Sequence, residues 1–444
     1  MNAHHSRAAL LFVGVSTLLM PSLATASDVA DASDGSMVLL LTILGSIGAA
    51  YLLAHFLMNR IQRRMLVTSG IEYVLLGILL GSSSGVLSQD AKLLPVLAFG
   101  AGWIGLLQGS SLRTADLSSL PKRALRIAMV DLVVVGGGAA VVGFAVLHHA
   151  LSIPWDDAVL AGSVLGCAAT SGSSSATRLL AQRFPQLLTD DVEGSTQSGS
   201  VHALIEATGH LTQVFAVLAF GVITCIFHRP IPGVEASPVA SEWLLLMLGL
   251  GLALGAVFRL LVGNESTDNH RFMAMVGIIC FSTGAAFFLD LSALTVNLVL
   301  GAVLVQGARG AGIQSSLATT RAPTVLLLLV LAGVVWRPVD PLHGAILAGA
   351  AVASRGLFKL LAGAIAASGT PLRPDVGRGF FAQGEVGLCI ALSYRLIFRD
   401  TVAGGDLVFT AILVSVVLSE LAAPRLLRGL LVDAGELRQY GRRP

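Results

Sequence analysis

From residue 37 onward the chain alternates long apolar runs with short polar gaps. Runs near the roughly 20 residues needed to cross a bilayer cover 37–58, 70–88, 92–111, 124–147, 157–181, 198–227, 241–262, 271–289, 291–308, 322–336, 342–367, 378–398 and 405–427. Residues 1–26 are different. They carry a short basic start (His4, His5, Arg7), an apolar core from Ala8 to Met20 and a small-residue end at Ala24-Thr25-Ala26. This is the pattern of a cleavable secretory signal, with an uncleaved first helix as the alternative. The pattern predicts an all-α polytopic membrane protein with about 13 transmembrane helices.

Composition strengthens this reading. Hydrophobic residues make up 55% of the chain and charged residues only 12%, with mean hydropathy +0.81. A soluble domain carries roughly 25% charge. The net charge of +2 carries no sign of nucleic-acid binding. Its distribution says more. Gaps rich in arginine and lysine (Arg60, Arg63 and Arg64; Arg113, Lys122, Arg123 and Arg126; Arg178 and Arg183) alternate with gaps poor in both. The alternation continues through Arg259 and Arg271, Arg309 and Arg321, and Arg373 and Arg378 to the tail with Arg425, Arg428, Arg438, Arg442 and Arg443. By the positive-inside rule the basic gaps are cytoplasmic, so the N-terminus is outside and the C-terminus inside a cytoplasmic membrane. The four cysteines (Cys167, Cys225, Cys280, Cys389) sit in separate apolar runs, without metal-ligand spacing, and read as packing residues.

The runs divide into two halves, 37–227 and 271–427, with 241–262 as a linker helix and 428–444 as a short cytoplasmic tail. The halves have opposite orientation, and their polar interruptions fall in matching places. The fifth run of the first half holds SGSSS (Ser171 to Ser175), and the fifth of the second holds FFAQGEVG (Phe380 to Gly387). The fourth members carry Asp131 and the pair Arg355 and Lys359. Interrupted helices at corresponding places in two inverted repeats point to a transporter site near the membrane midplane. The alternative, small residues that only permit close helix packing, does not call for buried Glu and Lys.

Several side chains can carry chemistry in that setting. His202, Glu206 and His210 are spaced i, i+4, i+8, within one helical face about 80° wide. In low dielectric a proton and a cation can compete for the carboxylate of Glu206, which makes it the leading ion- or proton-binding candidate, while the histidines can relay protons or tune it. The alternative is a Glu206 held permanently in an ion pair. Lys359 lies too deep to reach the surface and needs an acid, with Glu206 and Glu385 as the candidates. Arg355, one turn nearer the outside, is within snorkelling reach. Glycines 384 and 387 allow the backbone around Glu385 to unwind and expose carbonyls. Thr170, Ser171, Ser173 and Ser174 offer oxygens that suit Na⁺ or K⁺. Asp131, near a cytoplasmic helix end, and Asp290, in a short gap, read first as solvated or capping acids. A transition-metal site at His202, Glu206 and His210 would require the helix to unwind, because the three span about 12 Å along the axis. No catalytic triad, phosphate-binding glycine loop or metal-hydrolase motif occurs, so neither an enzyme nor a cofactor is expected.

AATSGSSSATRLLAQ (168–182) resembles the ATSVGITARVL-type crossover helix of the monovalent cation:proton antiporters, the sodium/hydrogen exchanger and potassium efflux type. FFAQGEVGLCIA is similar to their PRGEVGLIIA motif and LFKLLAG to their GKLLG motif. FMAMVGIICFSTGAAFFLDLSALTVNLVLGAVLVQGARG resembles the helix pair ending in GAFLAG, and the likeness spans about 37–427. It implies two crossing interrupted helices, a dimerising bundle and hence a homodimer, and exchange of H⁺ for Na⁺ or K⁺. It also implies that Ile205-Glu206-Ala207-Thr208 matches the IDDVLG-like acid segment, so that Glu206 pairs with Lys359. Ala207 then stands where the family has its second acid, and Gln383 where the motif has arginine.

The reading from sequence is therefore a secondary active antiporter working by alternating access. The alternative, supported by Ala207, is an antiporter-derived sensor or partner subunit that moves no ions. A reporter fused after Pro444 is expected on the cytoplasmic side, and a cysteine placed near Pro232 is expected to react from outside. Finding both on one side would remove the inverted-repeat argument.

Overall fold

The computed structural model describes residues 70–83, 90–118, 120–184, 201–228, 238–261, 268–307, 310–370, 372–399 and 402–437. The signal segment, the first predicted run and the end of the tail lie outside the described residues. Each later run falls on a helix or a broken helix. In chain order these are α1 (Ile71–Ser83), α2 (Asp90–Ser110), α3 (Lys122–Ala150), α4 (Trp155–Thr170), α5 (Ser175–Arg183), α6 (Val201–Ile226) and α7 (Ala240–Leu261). They continue with α8 (Asp268–Phe288), α9 (Ala293–Leu304), α10 (Gly310–Ala318), α11 (Arg321–Val334) and α12 (Pro341–Ala367). A 3₁₀ segment, Pro374–Phe380, precedes α13 (Gly384–Ile397), and α14 (Gly405–Asp433) closes the series.

Length and composition let six of these helices cross a membrane: α2, α3, α6, α7, α12 and α14. Two bent pairs raise the number to eight, α10 with α11 at 45° and Pro374–Phe380 with α13 at 63°. Large apolar side chains such as Val133, Val141, Leu245 and Phe288 point outward, as a lipid-facing surface requires. α14 runs six residues past the predicted end of its run, into the expected tail.

Packing follows the small residues. α2 lies against α9 so closely that a methyl group at Gly105 or Gly109 would overlap the carbonyl oxygens of Leu294 or Leu298. α1 lies against α11 in the same manner through Gly77 and Gly333. Further contacts come in similar pairs: α3 packs on α4 as α12 packs on Pro374–Phe380, and α6 packs on α3 as α14 packs on α12. Small-residue seams let backbones approach where no hydrophobic force separates helix from lipid.

Helix ends are handled locally. Ser292 caps α9 by accepting from the Thr295 amide, and Asp340 caps α12 by accepting from the His343 amide, with Pro341 in the first turn. The first amides of α6 are capped from far along the chain, because the carboxylate of Glu436 accepts from Val201 and from His202 (3.1 Å). α3 is unusual in containing two wide π-helical turns, Leu132–Gly136 and Val146–Ala150. Such turns are rare and concentrate at functional positions; the first of them directly follows Asp131.

The α2–α9 seam gives a direct test. Gly105→Ala is expected to destabilise the protein by about 1–3 kcal/mol through overpacking. Gly137→Ala, where a Cβ meets nothing within 4 Å, should leave the unfolding midpoint in detergent unchanged.

Candidate functional site

The two interrupted helices meet at their breaks. The first is α4, which ends at Thr170, then extended backbone at 171–173, then α5. The second is Pro374–Phe380, then 381–383, then α13. Ser171 donates from Oγ to the Gln383 carbonyl (3.3 Å), and Gln383 donates from Nε2 to the Ala168 carbonyl (2.8 Å). Gly384 adopts φ +66° beside Ser173, where any side chain would collide with that serine. The glycine thus permits both the turn into α13 and the close approach of the two breaks.

Such a crossing leaves two carbonyl ends and two amide ends inside the protein. Arg355 satisfies the carbonyl ends. It donates from Nε to Ala169 (3.1 Å), from Nη1 to Phe381 (2.6 Å), and from Nη2 to Ser171 and Ala382 (3.2 Å each). A fifth bond runs from Nη1 to Ser419 Oγ (3.2 Å). Arg355 is 1% exposed. It therefore does not reach the surface as its position in sequence suggested; five acceptors hold it inside. Lys359, one turn on, donates to the Thr170 carbonyl (3.1 Å) and to Asp131 Oδ2 (2.8 Å).

The pairing of Lys359 corrects the sequence expectation. Its partner is Asp131 on α3, not Glu206 or Glu385. The reason is geometric: Gly209, Thr212 and Gln213 are the α6 residues that face the crossing, with Gln213 donating from Nε2 to the Gly172 carbonyl (2.7 Å). Glu206 lies two turns before Gln213, about 10 Å along the axis. Asp131, read first as a solvated or capping acid, is instead fully enclosed beside the α4 terminus.

The amide ends meet carboxylates. Glu420 on α14 accepts from the Gly384 amide (2.9 Å) with one oxygen and from Ser175 Oγ (2.7 Å) with the other. It thereby ties the start of α13 to the start of α5. Glu385, in the first turn of α13, is buried and pairs with Arg321 at the start of α11. A cavity of about 90 Å³ is lined by Ser175, Gly384, Glu385 and Glu420 with Val325 and Leu329. Negative charge at a helix N-terminus is favourable, since each end carries about half a positive charge.

The remaining predicted residues separate into two groups. Glu206 and His210 are half-buried; Glu206 lies within Coulombic range of Arg178 and His210, and His210 within range of Arg178, Arg321 and Glu385 as well. Glu206 forms no hydrogen bond or ion pair with another described residue, and His210 Nδ1 is buried without a hydrogen-bond partner. His202 turns away, with Nε2 against the Thr177 carbonyl (3.4 Å). Around the SGSSS run, Thr170 donates to Gly166, Ser171 to Ala168 as well as to Gln383, and Ser173 accepts from the Ser175 amide, while the Ser175 hydroxyl goes to Glu420. Asp290 sits in the turn between α8 and α9 at φ +51°, as its place in a short gap suggested. Among the described residues no group of three His, Cys, Asp or Glu side chains is placed to hold a metal ion.

Sequence reasoning missed Glu420, Arg321 and Gln213. Glu420 is a lone acid in the apolar run LVSVVLSELAAP, which the rule that flagged Glu206 would also have flagged.

A mutant cycle tests the buried pair. Asp131→Ala and Lys359→Ala should each cost about 3–5 kcal/mol, because each strands a charge. The double variant should lose clearly less than the sum. Glu206→Gln combined with Lys359→Ala should be additive in unfolding measurements; strong coupling there would restore the Lys359–Glu206 pair.

No family model and no curated protein sequence matches the chain. Among solved structures, its fold is similar to that of the sodium proton antiporter MjNhaP1 from Methanocaldococcus jannaschii. The TM-score is 0.60 at 13% identity, over 87% of this chain and 99% of that one. At that identity the likeness is one of fold, and the chain accordingly has an all-α membrane fold with two interrupted, crossing helices of the antiporter kind.

Proposed function

We propose that this chain is a secondary active antiporter that exchanges protons for a monovalent cation, Na⁺ or K⁺, across a cytoplasmic membrane. The observation that carries the proposal is the Lys359–Asp131 pair set against the open end of α4 at the crossing. A buried ammonium and a cation are alternatives for one carboxylate. With Lys359 protonated, Asp131 is neutralised by it; when a cation takes Asp131, Lys359 gives up its proton, and the site's net charge does not change. The carbonyl and hydroxyl of Thr170 stand beside the pair as neutral oxygen ligands. Glu206 and His210 serve on the cytoplasmic approach, where the carboxylate gathers cations and the imidazole relays protons.

Alternating access follows from one bundle rocking against the other. The paired packing of α2 on α9 and α11 on α1, with α3–α4 answered by α12 and Pro374–Phe380, supports two inverted repeats over 37–227 and 271–427 joined by the linker helix 241–262. The fold's antiporter neighbour supports the reaction class. A homodimer through the outer bundle, the N-terminus outside and the C-terminus inside belong to the same proposal.

A second reading is a relative that senses rather than transports. It is favoured by Arg355, whose five bonds fill the junction, and by the cavity of about 10 Å³ beside Ala168 and Gln383, about one water in size.

Reconstitution into proteoliposomes containing a pH-sensitive dye separates the two. Successive additions of Na⁺, K⁺ and Li⁺ should move protons in the wild type, and Asp131→Asn should abolish the signal. Glu206→Gln should retain exchange with a raised KM for the cation. Transport that persists in Asp131→Asn and vanishes in Glu206→Gln would return the exchanging role to Glu206; silence of the wild type toward every cation would favour the sensor.

A further inference from the structure

α11 packs on α1 and α2, while α13, which it also touches, packs chiefly on α14 and α4. The start of each helix is anchored on its own side. Trp103 of α2 donates from Nε1 to Thr320 Oγ1 (2.7 Å), immediately before α11. The Gly384 amide, at the start of α13, donates to Glu420 of α14 (2.9 Å). Arg321 and Glu385 each follow such an anchor by one position, and they pair across the boundary with side chains only 19% and 7% exposed. The ion pair thus joins two elements that are fixed separately.

α11 is also tied at its other end. Trp336, two residues past the helix, donates from Nε1 to Thr410 Oγ1 on α14 (3.1 Å). The two ties stand about 22 Å apart along the axis. Arg321 lies within Coulombic range of His210 and Arg178, so its tie belongs to the cytoplasmic approach of the proposed orientation, and Trp336 lies toward the outside. Between the ties the seam is poorly filled. A cavity of about 90 Å³, room for several waters, separates Val325 and Leu329 of α11 from Leu388 of α13 and Val416 of α14, with Glu385 in its lining. The α2–α9 seam, where backbone closes on backbone, has no such space at Gly105 and Gly109.

We propose that the Arg321–Glu385 pair is the inner gate of the rocking motion and the Trp336–Thr410 bond its outer gate. This rests on the alternating access of the proposed function. A stiff helix tied at both ends to the opposing bundle cannot tilt against it until one tie opens. Opening the inner tie admits cytoplasmic water and ions to the seam beside the crossing while the outer tie stays shut; opening the outer tie does the reverse. The two ties differ in kind. Separating a buried ion pair leaves two charges that need solvent, which the cytoplasmic approach supplies. The indole–hydroxyl bond is neutral and weaker.

The test reads access to the seam beside transport. In the full-length chain with its four cysteines replaced by alanine, Leu388→Cys places a thiol in the seam, about one turn beyond Glu385. A membrane-impermeant maleimide is applied to the cytoplasmic face of inside-out vesicles, and proton exchange against Na⁺ and K⁺ is followed in the same vesicles. Arg321→Gln and Glu385→Gln should each speed labelling at least about tenfold. Each strands one charge, so the double variant Arg321→Gln, Glu385→Gln is included; it leaves neither charge and should label fast as well. Thr410→Val removes the outer acceptor and should slow labelling about fivefold, by shifting the population toward the outward-open form. The inference is overturned if the three pair variants label like the parent, or if Thr410→Val speeds labelling as they do. Responsive labelling without cation-driven exchange upholds the gates and removes the antiport reading. Exchange with labelling indifferent to every variant overturns the gates alone.

Discussion

Two interrupted helices that cross inside a bilayer create four helix ends where water cannot supply hydrogen bonds, and every peptide group there must find a partner in the protein. The chain answers with opposite charges at opposite ends. Arg355 and Lys359 take the carbonyls of 169–171 and 381–382, and Glu420 takes the amide and hydroxyl at Gly384 and Ser175. Without those side chains the breaks at 171–173 and 381–383 would expose bare backbone in low dielectric, at several kcal/mol per unsatisfied group. The close seams of α2 on α9 and α1 on α11 form a separate framework that does not meet this demand.

The choice of side chain at each end separates scaffold from chemistry. A guanidinium stays charged under all ordinary conditions and presents a rigid set of donors, so Arg355 is suited to hold backbone. An ammonium can release its proton when buried. Lys359 is the ammonium at the carbonyl ends, and it is the one placed on an acid. Glu420 is fixed by two donors from two helices and so serves geometry. Glu206 is half-buried and without an ion-pair partner among the described residues, so no fixed contact there assigns it to the scaffold.

Much of the fold was legible because a membrane imposes a coarse code. Apolar runs of bilayer length located the helices from α1 to α14 except α10, which lies between two runs, and the SGSSS and FFAQGEVG interruptions marked both breaks. The site was read less well. The i, i+4, i+8 series of His202, Glu206 and His210 is real as a helical face, yet periodicity within one helix carries no information about height relative to another. The depth at which α6 meets the crossing is set by Gly209 against Ser173 and by Gln213 on Gly172, contacts between distant segments. Asp131 was undervalued for a similar reason. Its distance from a helix end in sequence suggested solvent, while the packing of α3 on α4 and α12 encloses it.

The wide turns of α3 act as spacers in a ruler. Its buried positions Ile127, Asp131, Val135, Ala139, Gly143 and Leu147 recur every fourth residue. On an ordinary α-helix each such step drifts by about 40°, so five steps would wind the stripe more than halfway around the rod. Each π-helical turn takes up one surplus residue and rotates the next stretch of helix back by about 100°. The first, at Leu132–Gly136, therefore cancels about half of the drift along this stripe, and the second, at Val146–Ala150, acts only where the stripe ends. Deleting a single residue from 132–136 would keep Asp131 beside Lys359 while turning every later position toward a different neighbour, so the extra residue lets one helix serve both the charge pair and the seam beyond it.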